Sequence, residues 1–346
     1  MEILRDLLGN DRYHPQQNFV LVDKLVLDLY PYLLSDNIIS IPAIEESKSL
    51  ETVAFVIERL RSLGANRTSC LIAIGGGIIQ DIATFSSSVF MRGIRWEYYP
   101  TTLLGMVDSC VGGKSSINVG QYKNIAGNFY PPEKVVIDTV FCGTLQRVEM
   151  ISGLCEAVKI CFSDRGGKLN DYLKLTNDDG LASEQNLSKI ISLSLLTKKE
   201  FIEEDEFDTG IRLLLNFGHT FGHAIEAAGN FSITHGVAIG LGMQIAIHIS
   251  SQPDSKVSAS DRAVKLNDYL TRLLLGVPQL ARKLRDISSE SFLSKFQSDK
   301  KHTNSKYVII IPDENGFLIR KLINKDNKLE QSLMSSFEII KGRYEI

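Results

Sequence analysis

Three of the six histidines in the 346-residue chain lie within one short stretch, LLLNFGHTFGHAIEAAGNFSITHG at 213–236. His219 and His223 are four residues apart, so both imidazoles lie on one face of a helix. His235 follows where the next helix would begin. Imidazoles in this pattern bind a divalent metal, or they lie in a core with both ring nitrogens hydrogen-bonded. The histidines alone leave both possibilities open.

A charged pair upstream favours the metal. The stretch GLCEAVKI at 153–160 places Glu156 and Lys159 on one face of an apolar helix, where a buried carboxylate and a buried ammonium both need partners. A glutamate with two histidines is a common catalytic zinc set, and it leaves one coordination position open for a substrate oxygen. We therefore expect a metal site in this half of the chain.

Further polar residues precede the histidines. Lys198 lies on an upstream helix, and Arg212 and Asn216 lead toward His219 at steps of four and three residues. If 212–228 forms one helix, these side chains share a face that is too polar to pack against a core. The pattern predicts one wall of a site.

A glycine-rich turn lies in the first half. The segment LIAIGGGIIQDIATF at 71–85 is typical of a strand, three glycines and a helix that carries Asp81. Such glycines let backbone N–H groups approach a pyrophosphate at the N-terminal end of a helix. However, the spacing is not GxGxxG, and strands also end in glycines where no nucleotide binds. Asp81 equally suits the first turn of a helix, where an acid interacts favourably with the helix dipole.

The segment VDSCVGGKSSINVGQYKN at 107–124 is too polar and too rich in glycine to form core. Lysines beside glycines, together with asparagine amides, are suited to an anionic substrate. The residues in question are Asp108, Lys114, Asn118, Lys123 and Asn124. A solvated surface loop is the alternative, and for Lys123 alone, or for the upstream Arg92, it would be the better interpretation.

The elements that must position these residues divide the chain in two. Residues 1–150 alternate apolar runs with helical patterns, which predicts an α/β unit with a Rossmann-like parallel sheet. Residues 151–346 predict a mostly α-helical unit. The predicted strands are 19–23, 69–77, 94–102 and 133–138, with a hairpin of 307–312 and 317–322 around DENG. The predicted helices are 49–65, 151–162, 183–204, 212–228, 235–250, 257–273 and 277–296.

Composition excludes several classes of protein. The net charge of −3 argues against nucleic-acid binding through bulk charge. The five cysteines show no CxxC pair, which is typical of reduced, cytoplasmic thiols. The N-terminus has no basic segment followed by an apolar stretch, and no apolar run reaches the roughly 18 residues of a membrane helix. We expect a cytoplasmic protein with no membrane or nucleic-acid partner.

Together these motifs resemble a family, the sugar phosphate cyclases, and most closely its 3-dehydroquinate synthase branch. The similar segments run nearly end to end and in the family's order. They are IPAIEESKSLETV, GGGIIQD, PTTLLGMVDSCVGGKSSIN, KNIAGNFYPP, GTLQRVEMISGLCEAVK, KKEFIEEDE, IRLLLNFGHTFGHAIE and DKK at 299–301.

The resemblance implies an NAD-binding N-terminal domain, a helical C-terminal domain that binds Zn2+ or Co2+, and an active site between them. It implies that Glu156, His219 and His235 bind the metal, whereas His223 lies beside it or contacts phosphate. It also implies a homodimer, because the arginine matching Arg92 reaches the partner subunit's site. The substrate positions are Asp108, Lys114, Asn124, Lys159, Lys198, Arg212, Asn216 and Lys300. The NAD positions are Glu45, Lys48, Gly75, Gly76, Gly77, Asp81, Thr101, Thr102, Lys123 and Thr144.

The implied reaction converts 3-deoxy-D-arabino-heptulosonate 7-phosphate to 3-dehydroquinate and phosphate. It proceeds by transient oxidation with NAD, β-elimination, reduction and aldol closure. The alternatives are a cyclase acting on sedoheptulose 7-phosphate or glucose 6-phosphate, and a metal-dependent NAD alcohol or polyol dehydrogenase. The anion-binding residues favour the carboxylated substrate. Three positions depart from the family pattern: Gln80, Gln146 and Val237.

Overall fold

The computed structural model of the chain describes residues 17–33, 37–120, 122–251 and 260–345. The chain divides into two compact units, Met1–Leu145 and Gln146–Ile346, called here the N-terminal and C-terminal units. Within the described ranges, no helix is both long enough and apolar enough to cross a membrane.

The N-terminal unit is built on a five-stranded parallel sheet and a separate antiparallel hairpin. The strands of this unit are β1 (Asn18–Asp23), β2 (Ile38–Ile41), β3 (Cys70–Gly75), β4 (Arg95–Pro100), β5 (Ile117–Val119), β6 (Tyr122–Ala126) and β7 (Lys134–Val135). The sheet has the order β2-β1-β3-β4-β7, and β5 and β6 form the hairpin. Its α-helices are α1 (Lys24–Leu29), α2 (Leu50–Ser62) and α3 (Gly77–Val89).

The continuous apolar runs explain the parallel sheet. Every residue of β3 is buried, as expected for a strand that is covered on both faces. Helix α3 packs against β3 and β4. Gly75 at the end of β3 lies opposite Pro100 at the end of β4. The glycine turn and the threonines that follow Pro100 therefore leave the sheet at one edge, where α/β proteins bind ligands.

The C-terminal unit is mostly helical, as predicted. Its helices are α4 (Arg147–Ser163), α5 (Lys168–Leu173), α6 (Glu184–Glu204), α7 (His219–Ala228), α8 (His235–Ser250), α9 (Asp261–Leu275), α10 (Leu280–Arg285), α11 (Ser289–Gln297) and α12 (Asn327–Gly342). Its strands are β8 (Lys306–Pro312) and β9 (Leu318–Asn324), which pair antiparallel, so the predicted hairpin is confirmed.

Helix α8 lies at the centre of this unit. It is buried along nearly its whole length and packs against α4, α7, α9, α12 and β8. Two of its glycines allow close approach. A Cβ on Gly236 would lie 2.0 Å from the Ser152 carbonyl oxygen of α4, and one on Gly242 would lie 2.2 Å from the Gly218 carbonyl oxygen before α7. The glycines thus bring α4 and the start of α7 against α8.

Several predicted elements differ from the structure. The single helix predicted for 212–228 is wrong, because Ile211–Asn216 is a 3-10 turn and α7 begins only at His219. The helix predicted for 277–296 is two helices, α10 and α11. Residues 257–259 of another predicted helix lie outside the described residues, and that helix runs from Asp261 to Leu275. The sequence patterns also gave no sign of α12.

Candidate active site

The buried charged pair of α4 is the centre of the C-terminal site. Glu156 and Lys159 are 1% and 2% exposed, and Lys159 Nζ donates a hydrogen bond to Glu156 Oε2. The second carboxylate oxygen, Oε1, is buried and accepts no hydrogen bond from any described residue. A buried polar atom without a partner costs about 1–3 kcal/mol. An oxygen kept in this state is available to a ligand.

Two histidines face that oxygen. Nε2 of His235 lies 3.5 Å from Glu156 Oε1, and Nε2 of His219 lies 4.0 Å from it. The other ring nitrogen of each histidine faces an acceptor. Nδ1 of His219 is 3.3 Å from the Phe217 carbonyl oxygen, and Nδ1 of His235 is 3.1 Å from Glu226 Oε2. These contacts favour the Nδ1–H tautomer and leave both Nε2 lone pairs directed at the carboxylate oxygen.

The electrostatics of the two rings differ. Burial lowers the pKa of His219 well below its ordinary value, and the charge of Lys159 lowers it further, so this imidazole is neutral. Burial would also lower the pKa of His235, but the hydrogen bond and charge of Glu226, together with the charge of Glu156, raise it. A carboxylate behind a histidine orients the ring and raises its basicity in many metal sites.

His223 lies beside the other two rings. Its ring centroid is 5.3 Å from that of His219 and 5.7 Å from that of His235, and one nitrogen of each of the three lies within 4.8 Å of the others. The structure therefore brings together two possible ligand sets, the three imidazoles or Glu156 with His219 and His235. The buried, unpartnered Oε1 of Glu156 favours the second set. The exposed His223 ring is then left to face a ligand.

Of the cations predicted near the histidines, Lys198 lies on α6, whereas Arg212 lies on the 3-10 turn before α7. Arg212 and Lys198 are both buried. Arg212 Nη1 donates to the Glu206 carbonyl oxygen at 2.5 Å, and its backbone N–H donates to Asp205 Oδ2 at 3.1 Å. The Asn216 amide donates to the Leu213 carbonyl oxygen at 3.1 Å.

The expectation that these residues share a helical face with the histidines is wrong. Gly218 lies between the 3-10 turn and α7 and has a φ of 78°, in the left-handed region. A Cβ on Gly218 would lie 2.7 Å from Met243 Cγ and 2.8 Å from the Ile239 carbonyl oxygen. Close packing on α8 therefore imposes the bend. Arg212 and Asn216 approach on the turn, whereas the histidines begin the next helix.

The DKK motif led to the prediction of Lys300 as a substrate residue, and the adjacent Lys301 was not predicted. The Lys300 side chain is exposed. In contrast, Lys301 Nζ is buried and has no hydrogen-bond partner among the described residues. Burial lowers the pKa of Lys301, and the charges of Asp299, Lys300, Asp208 and Lys159 also act on it. A DKK motif cannot say which lysine points inward, because that depends on the turn between α11 and β8.

The glycine turn of the N-terminal unit is packed on one side and open on the other. A Cβ on Gly75 would lie 2.4 Å from an Ile79 carbon, and one on Gly76 would lie 2.9 Å from the Thr102 methyl. A Cβ on Gly77 would meet nothing within 4 Å. Helix α3 begins here without a side-chain cap. The first-turn N–H groups at the start of a helix can in general bind a phosphate.

The two threonines after β4 support this turn. The buried Thr101 donates its backbone N–H to the Gly75 carbonyl oxygen at 3.0 Å. Thr102 Oγ1 accepts from the Gly105 N–H at 3.1 Å. Thr144, another predicted NAD residue, is exposed and donates to the Phe141 carbonyl oxygen at 3.1 Å.

A network of charged side chains lies between α3 and the β5–β6 hairpin. Lys48 Nζ is 2.8 Å from Asp81 Oδ2, and burial raises the pKa of Asp81 while the charge of Lys48 opposes that rise. Glu45 Oε1 accepts from Asn118 Nδ2 at 2.9 Å and lies 3.5 Å from Lys123 Nζ. Four of the predicted NAD residues thus lie in one network.

Three predicted substrate residues, Asp108, Lys114 and Asn124, belong to this unit. Asn124 has a φ of 54°, and its Oδ1 accepts from Ser116 Oγ at 2.9 Å. Asp108 lies in a π-turn, Gly105–Ser109, a type of turn that is frequent at functional sites. The exposed Lys114 has its Nζ 5.8 Å from the centre of the Phe129 ring.

The structure accounts for two of the three residues that depart from the family's sequence pattern. Gln146 is the N-cap residue of α4, where Glu149 Oε2 accepts from the Gln146 N–H at 2.9 Å and the Glu149 N–H donates to the Gln146 carbonyl oxygen at 2.9 Å. Val237 is fully buried within α8 and needs no polar partner.

Comparison with known proteins places both units of the chain in one family. Residues 38–152 match the family model described as 3-dehydroquinate synthase N-terminal, and residues 153–302 match the one described as 3-dehydroquinate synthase C-terminal. The 3-dehydroquinate synthase of Dictyoglomus thermophilum is 36% identical over 94% of this chain and 91% of its own length. One from Streptococcus pyogenes is 32% identical over 97% and 93%.

Solved structures show the same fold. A 2-deoxy-scyllo-inosose synthase complexed with carbaglucose-6-phosphate, NAD+ and Co2+ has a TM-score of 0.78 at 24% identity, covering 97% of this chain and 94% of the other. The 2-epi-5-epi-valiolone synthase of Streptomyces hygroscopicus, with NAD+ and Zn2+ bound, has a TM-score of 0.77 at 20% identity, covering 95% and 92%.

Proposed function

The chain belongs to the 3-dehydroquinate synthase family, and from this premise we propose that it converts 3-deoxy-D-arabino-heptulosonate 7-phosphate to 3-dehydroquinate and inorganic phosphate. One observation carries the proposal. The two family matches join into a continuous span, 38–302, which contains the buried Glu156–Lys159 pair and the histidines that face it.

We propose that Glu156, His219 and His235 hold a divalent metal such as Zn2+ or Co2+. The donor set fits such an ion because Glu156 Oε1 is buried, accepts no hydrogen bond from the described residues, and is faced by two Nε2 atoms. When bound, the ion would polarise a substrate hydroxyl oxygen as a Lewis acid. Lys159 holds Glu156 Oε2, so the carboxylate keeps its orientation, and Glu226 does the same for the His235 ring.

We propose that the glycine turn of the N-terminal unit binds the pyrophosphate of NAD. The open side of Gly77 and the uncapped start of α3 fit a phosphate. When bound, NAD+ would take up a hydride from the substrate and return it later in the same turnover. The chain contributes the rest of the nucleotide contacts through Glu45, Lys48, Asp81, Thr101, Thr102, Lys123 and Thr144.

The substrate carries a carboxylate and a phosphate, and the chain offers cations for both. We assign Lys198 and Arg212 to the carboxylate, because a planar guanidinium binds a carboxylate through two hydrogen bonds. We assign Lys114, Asn124, Asn216 and His223 to the phosphate side. Lys301, whose buried Nζ has no hydrogen-bond partner among the described residues, replaces Lys300 in our assignment and binds an anionic group of the substrate. Cations around the phosphate neutralise it and so favour its departure.

We further propose a homodimer in which Arg92 reaches the partner's site. Met91 and Arg92 have φ values of 53° and 68°, and the Arg92 side chain is exposed. Left-handed backbone at non-glycine residues costs about 1–3 kcal/mol each and is concentrated at functional positions. Light scattering measures the oligomeric state. Mixing Arg92→Ala with His219→Ala protein should restore activity if each subunit completes the other's site.

The test of the reaction is direct. The protein is incubated with NAD, Zn2+ and each of three substrates: the heptulosonate, sedoheptulose 7-phosphate and glucose 6-phosphate. We expect phosphate release and 3-dehydroquinate from the heptulosonate, with no accumulation of NADH. If sedoheptulose 7-phosphate is cyclised well and the heptulosonate is not, only the wider cyclase assignment survives. NADH appearing in step with product would indicate a dehydrogenase.

A further inference from the structure

Gln80 is a buried glutamine on α3 whose side-chain amide makes two hydrogen bonds to a single residue. Its Nε2 donates to the Ser109 carbonyl oxygen at 2.7 Å, and its Oε1 accepts from Ser109 Oγ at 2.5 Å. Only 4% of Gln80 is exposed. Both ends of the amide are therefore committed to the last residue of the π-turn.

The next residue of α3 holds the chain a few positions later. Asp81 Oδ1 accepts from the Ser116 N–H at 3.0 Å, and its Oδ2 accepts from Ser116 Oγ at 3.3 Å. Two consecutive residues of one helix thus fasten both ends of the segment 109–116. That segment contains Lys114, and Asp108 immediately precedes it.

The hydrogen bonds to α3 restrict the segment 109–116, whose glycines can adopt many backbone conformations. Gly112 and Gly113 have φ values of 100° and 62°, and glycine loses more conformational freedom on ordering than any other residue. The π-turn that leads into it is itself an irregular element. Backbone hydrogen bonds to Asn128 and Tyr130 also hold Ser115 and Gly113, so the attachments to α3 act together with these bonds in placing Asp108 and Lys114.

We propose that Gln80 is a positioning residue that fixes Asp108 and Lys114 toward the sugar phosphate by holding Ser109. This inference rests on the proposed function, which assigns those two residues to the substrate. The contact requires an amide, because one group must donate to a carbonyl oxygen and accept from a hydroxyl at the same time. A carboxylate at position 80 would place an oxygen against the Ser109 carbonyl oxygen, and a methionine would make neither bond.

The experiment compares Gln80→Met and Gln80→Glu with the wild type, in the full chain with Zn2+ and NAD. We expect kcat/KM for the sugar phosphate to fall about tenfold or more in both variants, because two buried hydrogen bonds are lost. The dissociation constant for NAD should change by less than about twofold, since the glycine turn is untouched. Thr84→Val is the matched control. Thr84 lies one turn later on α3 and is buried, and its Oγ1 donates to the Gln80 carbonyl oxygen at 2.8 Å rather than to a described residue of 109–116.

Hydrogen–deuterium exchange separates positioning from general stability. Exchange across 108–116 should be faster in Gln80→Met than in the wild type and Thr84→Val, with β3 unchanged. Unchanged exchange in that segment, or kcat/KM within about twofold of the wild type at both substitutions, overturns the proposal. If the wild type releases phosphate from no sugar phosphate, the proposed function fails, whereas the exchange comparison still decides whether Gln80 holds the loop.

Discussion

The Glu156–Lys159 pair should lower the stability of the metal-free protein, and replacing both residues together should reveal this. Both side chains are almost completely buried, and Glu156 Oε1 has no hydrogen bond to any residue in the described ranges. We predict that Glu156→Leu/Lys159→Met unfolds with a free energy equal to or greater than that of metal-depleted wild type. Replacing a buried ion pair by apolar residues of similar size is typically neutral or stabilising by about 1–4 kcal/mol. The unpartnered Oε1 contributes about 1–3 kcal/mol of the cost that is relieved.

The single variants should behave in the opposite way. Lys159→Met leaves the Glu156 carboxylate buried without its cation, and Glu156→Leu leaves the ammonium without its carboxylate. Removing one partner of a buried pair costs about 3–5 kcal/mol. The control pair is Lys199–Glu203 on α6, whose nitrogen and oxygen are 3.4 Å apart with both side chains about two-thirds exposed. Replacing both control residues with alanine should change the stability by less than about 0.5 kcal/mol.

The assay is denaturant unfolding after treatment with a chelator, repeated with added Zn2+. Wild type should gain stability on adding Zn2+, by about 2.7 kcal/mol at one hundred times the dissociation constant. The double variant should gain nothing and should be inactive. A double variant less stable than metal-depleted wild type would refute the reasoning, because it would mean that the pair stabilises the fold. A Zn2+ response in the double variant would refute the assignment of Glu156 as a ligand.

Three further predictions concern single residues. His219→Ala should lose bound metal, measured as metal content per chain, whereas His223→Ala should retain it and lose turnover; equal losses would contradict the ligand assignment. Lys301→Ala should lower kcat/KM by about tenfold or more, whereas Lys300→Ala should keep kcat/KM within a few-fold of wild type, because only the buried lysine binds substrate. A larger loss of kcat/KM in Lys300→Ala than in Lys301→Ala would return the assignment to Lys300. Arg212→Ala should lower kcat/KM by about one to two orders of magnitude, since a charge-assisted hydrogen bond is worth about 1.5–3 kcal/mol, and Arg212→Lys should recover little. Full recovery by lysine would rule out two-point binding of a carboxylate.

The features that the sequence predicted well depend on local patterns. An apolar run such as CLIAIG forms a buried strand wherever helices cover both faces of its sheet, so β3 and the parallel sheet could be expected. The apolar helix around Glu156 implied that this side chain and Lys159 are buried, and both are. Pairing of YVIIIP with FLIRKL followed from the turn residues between them.

The features that the sequence did not predict depend on contacts between distant segments. Gly218 lies inside a pattern that suits a helix, and the bend there arises because Met243 and Ile239 of α8 leave no room for a Cβ. Lys301 differs from Lys300 only in which way the chain turns before β8. Gln80 departs from the family pattern, and its partner Ser109 lies on a π-turn that no helical periodicity indicates.

These groups share a property that ties stability to function. Within the part of the chain that the structure describes, Glu156 Oε1 and Lys301 Nζ are buried without hydrogen-bond partners, and Arg212 is buried on a bend imposed by packing. Each arrangement costs free energy in the empty protein, because charges and polar atoms have left water without full compensation. Binding of a cation by the carboxylate and of an anion by the lysine would supply the missing partners, and an anion at Arg212 would add to the hydrogen bond that its side chain already donates to Glu206. The same groups therefore make the empty C-terminal unit less stable and the occupied one more stable. That difference is available to bind metal and substrate, since ligand binding is strongest where the free site is held ready and unsatisfied.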